Sequence, residues 1–281
     1  MKSDAAPETP HHLQWSGLTD PGRFRKNNED AFLALNFDAF EVRYLGKDGT
    51  GSLATNDYVF AVSDGMGGAE AGEVASKIAV EKITRLLPQH FQLGAHRIDP
   101  GDSDHLGEVF VQTHQALLDL GRVYEECAGM GATLSLCWFM PGWMAFGHVG
   151  DSRIYYLPED GPMKQLSHDH SHVGSLQRAG AINEREARNH PKKNILSQVL
   201  GGKSAQVSPQ IGRVDCLPGD RFLICSDGLI DGLWDRRIND MAREKLSAKT
   251  LVDYAVAESG RDNTTALLIE IQETRSSLGP H

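Results

Sequence analysis

The chain has 281 residues, 40% of them hydrophobic and 23% charged, which is typical of a globular protein that buries a sizeable core. The 28 basic and 38 acidic residues give a net charge of −10 and argue against a nucleic-acid partner, which would require a basic surface. No apolar run is long enough to span a bilayer, no signal-peptide pattern is present, and the four cysteines show no paired spacing, so we expect a cytoplasmic protein.

A single domain is expected at residues 15–272, because no repeat or low-complexity linker divides this stretch. The polar residues 1–14 and the short segment 273–281 are predicted to be flexible tails. The sequence does not fix the oligomeric state, and a monomer is the simplest expectation.

Apolar runs and their periodicity predict the secondary structure. Runs rich in β-branched and aromatic residues indicate strands, and a 3.6-residue period indicates helices. In chain order, the pattern predicts a strand at 58–62, helices at 73–87 and 106–124, strands at 133–139, 144–149, 154–157 and 221–225, a helix at 249–258 and a strand at 264–271. Pro88 is expected to end the first helix, Pro141-Gly142 to form a hairpin turn, and Ser247 to cap the last helix. Strands that follow one another directly favour mainly antiparallel sheets.

Two segments fit neither period. Residues 36–57 indicate either a hairpin with a glycine-rich tip or a loop. Residues 166–202 mix histidines, glycines and short helical turns. Because a long irregular segment in a compact domain is often a lid, this second segment is a candidate flap, with an ordinary packed loop as the alternative.

Three predicted strands end beside an aspartate and a glycine, at Asp64, Asp151 and Asp227, and Asp262 precedes the last strand. Each aspartate alone is most simply a turn residue. If the strand ends meet, the carboxylates repel one another unless a cation neutralises them. Oxygen ligands favour magnesium or manganese, and two such ions would activate water and polarise a phosphoryl oxygen.

The run Arg25-Lys26-Asn27-Asn28-Glu29-Asp30 adds two acids beside an arginine. By itself it is most simply an exposed charged loop. Next to the acid set, however, Arg25 becomes a candidate clamp for a phosphate dianion, because its planar guanidinium binds phosphate in a bidentate manner.

Seven motifs, in order, resemble the metal-dependent serine/threonine phosphatases of the PP2C type, and bacterial members in particular. The resemblance covers roughly residues 15–271. The motifs are GRFRKNNEDAF at 22–32, VSDGMGG at 62–68, GAT at 131–133, GHVGDSRIY at 147–155, LSHDHS at 166–171, ICSDGLID at 224–231 and GRDNTTALLI at 260–269.

The resemblance implies an α+β fold, a four-layer α/β/β/α sandwich of two mainly antiparallel sheets flanked by helices. It also implies a metal centre at one end of the sandwich. Asp64 would bridge two Mn²⁺ or Mg²⁺ ions, the Gly65 carbonyl would ligate one of them, and Asp227 and Asp262 would complete the first ion.

The remaining roles follow from the same resemblance. Glu29 and Asp30 would hold the second ion, largely through water, and Arg25 would grip the substrate phosphate. Asp151 would help bind a third, weaker ion with Asp227, and Asn263 would support the site from behind the ligands.

The implied reaction is hydrolysis of phosphoserine and phosphothreonine in proteins by in-line attack of a hydroxide that bridges the two ions. Some animal relatives have a histidine where this chain has Met66, which leaves the proton donor open. A metal-bound water is one candidate. His168, His170 and His190 are others, although each is more simply a surface histidine.

Within the resemblance, the flap would discriminate among substrates, with a helix at 173–179 as its moving part. Two alternatives stay open: a binding or scaffold protein that kept the fold without the chemistry, and a different two-metal phosphoesterase. The sequence names no substrate, although phosphoproteins made by serine/threonine kinases in bacterial signalling are the expected partners.

Overall fold

The computed structural model describes residues 11–38, 40–93, 103–244 and 246–273. Within these ranges no helix has the length and apolar character needed to cross a membrane. The strands are β1 (His12–Asp20), β2 (Asp30–Phe37), β3 (Val42–Tyr44), β4 (Asp48–Ser52), β5 (Asp57–Met66), β6 (Gly131–Ala132), β7 (Leu134–Met140), β8 (Trp143–Val149), β9 (Arg153–Leu157), β10 (Lys164–Gln165), β11 (Leu200–Gly201), β12 (Gln210–Asp215), β13 (Arg221–Cys225) and β14 (Thr264–Gln272). The helices are α1 (Ala69–Leu93), α2 (Ser103–Val123), α3 (His172–Arg178), α4 (Glu184–Arg188), α5 (Asp227–Gly232), α6 (Asp235–Arg243) and α7 (Ala248–Glu258), with a short 3-10 helix at Glu125–Cys127.

The strands form two antiparallel sheets. The first has the order β10-β9-β13-β14-β1-β4, so that the first and last long strands of the domain are neighbours. In the second, β2, β5, β7, β8 and β12 pair in turn, β3 extends the β2 edge, and β6 and β11 pair beside the end of β5.

Three apolar cores separate four layers. The central core lies between the sheets and includes Trp15, Phe60, Phe139 and Phe222. A second core packs α1 and α2 against the second sheet, and a third packs α5, α6 and α7 against the first sheet. The predicted α/β/β/α sandwich is therefore confirmed, and its driving force is the burial of one face of each helix and both faces of each sheet.

Most of the predicted elements are confirmed within a few residues. β7 and β8 form the hairpin predicted around Pro141-Gly142, and Ser247 caps α7 by accepting from the Thr250 amide. The prediction that the first helix ends at Pro88 is wrong, since α1 continues to Leu93. A proline removes one backbone donor and bends a helix, but buried contacts such as that of Leu87 hold the preceding turn in place.

Two other boundaries also differ from the prediction. β1 begins at His12, and Leu13 is fully buried, so residues 12–14 belong to the first sheet rather than to a tail. Residues 1–10 and 274–281, which make up most of the two predicted tails, lie outside the described residues. Asp64 lies within β5 rather than after it, and Asp227 begins α5.

Residues 36–57 connect the two sheets. β3 pairs with β2 in the second sheet, whereas β4 pairs with β1 in the first. The segment is thus a short hairpin followed by a crossing, which explains why it is too long for a simple turn.

Candidate metal centre

One cleft collects most of the predicted site residues. It has a volume of about 490 Å³ and lies at the end of the sandwich where strands of both sheets terminate. The predicted site residues that line it are Arg25, Glu29, Asp64, Gly65, Asp151, Asp227, Asp262 and Asn263. Asp30 does not line the cleft but is buried behind its wall.

Asp30 and Asp64 are cross-strand partners. They face each other in the register of β2 and β5, which brings two carboxylates side by side on adjacent strands. One oxygen of Asp30 accepts from Ser226 Oγ (2.7 Å) and Thr265 Oγ1 (2.6 Å). Its other oxygen is buried and has no hydrogen-bond partner within the described ranges. Burial raises the pKa of Asp30 to about 6.

Gly65 is held where no side chain fits. Its amide donates to the Glu29 carbonyl (3.1 Å), and a Cβ at this position would overlap the carbonyl oxygen of Gly72 in α1. A Cβ on Gly72 would in turn meet the Glu29 carboxylate. These close approaches bring the start of α1, the Asp64-Gly65 backbone and Glu29 together at the cleft.

The turn between β8 and β9 carries Asp151. Gly150 precedes it with φ of 113°, a conformation that L side chains rarely adopt. The Thr133 hydroxyl accepts from the Asp64 amide (2.9 Å) and is hydrogen-bonded to the Ser152 hydroxyl (2.7 Å). Thr133 therefore ties the Asp64 backbone to the turn that carries Asp151.

Asp227 enters the cleft from the first residue of α5. Its Oδ1 atom is buried and accepts no hydrogen bond from any residue that the structure describes. Burial, followed by the neighbouring Asp151 carboxylate, raises the pKa of Asp227 well above its ordinary value. Burial, followed by the charge of Asp30, likewise raises the pKa of Asp64 well above its ordinary value.

The N-terminal loop closes one side of the cleft. Arg25 Nη2 donates to Asp262 Oδ2 (2.7 Å), which raises the pKa of Arg25. Asn263 accepts from the Glu29 amide (2.8 Å) and donates to the carbonyls of Pro21 (3.0 Å) and Asn27 (2.9 Å). The predicted supporting role of Asn263 thus has a geometric basis: its side chain holds the loop that carries Arg25 and Glu29.

The donor set suits hard divalent cations. The carboxylates line the cleft without forming a preassembled group of three metal ligands among the described residues. However, Asp30 and Asp227 each hold a buried, unpartnered oxygen, and the carboxylates raise one another's pKa. Converging acids of this kind are stabilised by Mg²⁺ or Mn²⁺, whose preferred ligands are oxygens.

The three candidate proton-donating histidines do not line the cleft. His168 is exposed, and His170 Nδ1 accepts from the Gly150 amide (3.2 Å). Met66, which occupies the position of the animal histidine, does line the cleft and is partly exposed. The histidine hypothesis therefore gains no geometric support.

Sequence reasoning missed several residues that shape this site, namely Thr133, Ser226, Thr265 and Gly72. All of them lie in or next to the quoted motifs except Gly72, which follows VSDGMGG by four residues. Their proximity to the motifs is the only signal in the sequence, since their partners are distant along the chain.

Residues 38–267 match a family model whose description is "Protein phosphatase 2C". The chain belongs to the protein phosphatase 2C family. This confirms the resemblance predicted from the seven motifs, and it makes the chain an enzyme of the serine/threonine protein phosphatase class.

Similarity to individual serine/threonine phosphatases agrees with membership of the protein phosphatase 2C family. The serine/threonine phosphatase Stp of Listeria welshimeri is 34% identical over 257 residues, 90% of this chain and 93% of that protein. The crystal structure of Stp1 from Staphylococcus aureus is similar with a TM-score of 0.77 and 27% identity, covering 96% of this chain and 100% of that one. The catalytic domain of PstP in complex with two manganese ions is similar with a TM-score of 0.73 and 27% identity, covering 94% of this chain and 100% of that one.

Proposed function

We propose that this protein phosphatase 2C enzyme hydrolyses phosphoserine and phosphothreonine in proteins with the aid of two divalent cations, Mn²⁺ or Mg²⁺. The observation that carries the proposal is a pair of buried, unpartnered carboxylate oxygens, that of Asp227 in the acid-lined cleft and that of Asp30 behind its wall. A buried carboxylate without a partner is costly unless a cation or proton compensates it. The two manganese ions in the PstP relative support the choice of cation.

The cation ligands follow from the positions of the acids. Asp64 would bind both ions, and the Gly65 carbonyl, Asp227 and Asp262 would complete the ligands of the first. Glu29 and Asp30 would hold the second, and the position of Asp30 behind the cleft wall favours a role through water. Asp151, which lines the cleft beside Asp227, is proposed to hold a weaker third ion with it.

The residues of the chain bind and orient the phosphate. When bound, the two cations activate a water for in-line attack on phosphorus and polarise the phosphoryl oxygens. Arg25, half-exposed on the N-terminal loop, binds the phosphate dianion through its planar guanidinium. Asn263 keeps that loop in place, so Arg25 and Glu29 stay in register with Asp64.

The alternative function is a binding protein without chemistry. Its mark would be the replacement of ligands, yet Asp64, Gly65, Asp227, Asp262 and Arg25 are all present. We therefore favour the catalytic function. We also propose that the enzyme opposes serine/threonine kinases in signalling of the bacterial type and that it is a monomer. We further propose a cytoplasmic location, which the four free cysteines support.

The test is phosphate release from a phosphothreonine peptide, with manganese or magnesium added and then removed by a chelator. A phosphotyrosine peptide of the same sequence is the matched control. We expect turnover of the phosphothreonine peptide that requires the metal and stops with the chelator. A folded protein that binds metal but releases no phosphate would support the binding-protein alternative instead.

A further inference from the structure

A buried ion pair lines a small cavity that adjoins the cleft and shares Asp151 and Asp227 with it. Arg153, at the start of β9, donates from Nε to both carboxylate oxygens of Asp169 (3.0 and 3.1 Å) and from Nη2 to Oδ2 (2.7 Å). Both side chains are 9% exposed. None of the roles assigned above to cation ligands or phosphate binding uses this pair.

The pair is fully embedded in hydrogen bonds. Arg153 Nη1 also donates to the Tyr155 hydroxyl (2.9 Å) and, at 3.3 Å, to Asp235 on α6. Asp169 Oδ1 additionally accepts from Gln165 (2.7 Å). A buried ion pair is weak evidence of net stability, but removing one partner leaves an uncompensated buried charge.

Asp169 and His170 hold the Asp151 turn from both sides. Asp169 binds Arg153, which follows Asp151 by two residues. His170 binds Gly150, which directly precedes Asp151. The His170 amide donates to the Gly150 carbonyl (2.7 Å), and the Gly150 amide donates to His170 Nδ1 (3.2 Å). Two consecutive residues thus clamp the turn that presents Asp151 to the cleft.

Asp169 and His170 lie near the start of segment 166–202 and also bind later residues of that segment. The Asp169 carbonyl accepts from Arg178 at the end of α3 (2.8 Å), and Gly174 packs directly against Asp169. The His170 carbonyl accepts from the amide of Ser197 on the returning part of the segment (2.7 Å). Asp169 and His170 therefore join both arms of this segment to the Asp151 turn.

We propose that Asp169 is a positioning residue that, through Arg153, fixes the Asp151 turn and the base of segment 166–202 as one unit. Its loss would misplace an acid at the cleft and loosen the surface next to the substrate in a single step. This inference rests on the proposed function, with phosphopeptides as the substrates that contact the segment and small phosphomonoesters as substrates too short to do so.

The test compares Asp169→Asn with Asp235→Asn. Both substitutions remove one carboxylate charge that faces Arg153. The Asp169 carboxylate belongs to segment 166–202 and ties it to Arg153, whereas the Asp235 carboxylate belongs to α6 and accepts from Arg153 and Tyr155. The contact of Asp235 with Glu184 of the segment is made by its backbone amide, which Asp235→Asn keeps. For Asp169→Asn we expect kcat to fall with both p-nitrophenyl phosphate and a phosphothreonine peptide, and KM to rise for the peptide alone. The peptide kcat/KM should fall by about 10- to 100-fold, the scale of an ångström-level misplacement. Asp235→Asn should leave the peptide KM near that of the wild type.

Hydrogen exchange of the metal-free protein supplies a readout that is independent of activity. The amides of His170 and Ser197 should exchange faster in Asp169→Asn than in the wild type or in Asp235→Asn. Should Asp169→Asn fail to fold, Arg178→Ala removes a partly buried contact to the Asp169 carbonyl and should accelerate the same two amides.

Unchanged exchange and an unchanged peptide KM in Asp169→Asn would overturn the proposal, as would identical effects of the two Asn variants. If the wild type releases no phosphate at all, the proposed function fails, while the exchange comparison still decides the positioning role of Asp169.

Discussion

The acid cluster (Glu29, Asp30, Asp64, Asp151, Asp227 and Asp262) and the segment 166–202 lie at the same cleft but differ in how their residues are held. Asp30 and Asp64 lie on paired central strands, and their backbones are fixed by the hydrogen bonds of the sheet. Asp227 starts a helix at the end of β13. Three of the acids are thus carried by strands and a helix, which hold side chains more precisely than loops do.

The segment 166–202 contains two short helices, α3 of seven residues and α4 of five, and the two-residue strand β11. Polar side-chain contacts join it to the neighbouring helices α5 and α6. Lys193 pairs with Asp231 on α5 (2.9 Å), and Arg188 stacks over Trp234 at 4.2 Å from the ring centre. Such partly exposed contacts are individually weak and can exchange. The comparison agrees with the proposed division, in which the acids of the cleft carry the chemistry and segment 166–202 contacts the substrate.

Asp64→Asn should have the largest effect of the variants that test the role of the acid cluster. It removes the proposed bridging charge but keeps the shape of the side chain, so the fold should survive. Because a metal ion supplies several kcal/mol of transition-state stabilisation, turnover should fall by at least about 10³-fold. Phosphate release measures this, with Asp253→Asn on the exposed face of α7 as the control. Near-normal turnover in Asp64→Asn would contradict the bridging role.

Arg25→Ala should have the next largest effect. Arg25 lies at the cleft edge and pairs with Asp262, so its loss should weaken phosphate binding more than metal binding. Charge-assisted hydrogen bonds of about 1.5–3 kcal/mol predict a rise in the phosphopeptide KM of roughly tenfold or more. Steady-state kinetics at saturating manganese test this, with Arg25→Lys as a partial rescue. An unchanged KM would remove Arg25 from phosphate binding.

The acid cluster should also give the metal-free protein an unusual pH dependence. Burial raises the pKa of Asp30 to about 6 and that of Asp151 to about 7. Each acid binds its proton more tightly in the folded state, so it contributes stability below the unfolded pKa of about 3.9 that is lost as pH rises through the folded pKa.

The Tm of the metal-free protein should therefore decline between about pH 4 and pH 7 owing to these groups. Manganese should remove this decline, and the difference in Tm between the manganese-saturated and metal-free protein should widen as pH rises. Thermal unfolding across this range, with and without manganese, checks both. A stabilisation by manganese that does not depend on pH would contradict the account of the cluster.

Lys193→Ala tests the role of segment 166–202 and should have the smallest effect. Its ion pair with Asp231 is about one-third exposed and is worth at most about 1 kcal/mol. The phosphopeptide KM should rise by about fivefold or less, with hydrolysis of p-nitrophenyl phosphate unaffected. Lys249→Ala, which breaks an exposed ion pair on α7, is the matched control. A large loss of activity toward the small substrate would show that the segment is part of the chemistry.

Local signals in the sequence predicted individual elements, and the resemblance to a known family predicted the layered fold that the structure confirms. Apolar runs predicted β7, β8, β13 and β14, and the Asp-Gly motifs marked the carboxylates at the ends of buried elements. β1 was missed because its polar and apolar residues alternate weakly and because it is stabilised by pairing with β14 at the far end of the chain.

The supporting contacts could not be predicted because they depend on distant pairs. Thr133 ties Asp64 to Ser152, and Asn263 holds the loop of Glu29 from more than 200 residues away along the chain. Residues 36–57 were ambiguous for the same reason, since their two strands join different sheets. Local propensity indicates a strand but not the sheet that it joins.

Calorimetric titration of the metal-free protein with manganese tests the central claim most directly, namely that the carboxylates of the cleft form a two-cation centre. The account predicts two tightly bound equivalents in the wild type, and loss of at least one of them in Asp64→Asn with the fold intact. Tight binding of two equivalents by Asp64→Asn, or turnover by a wild-type protein that binds no manganese or magnesium, would contradict it.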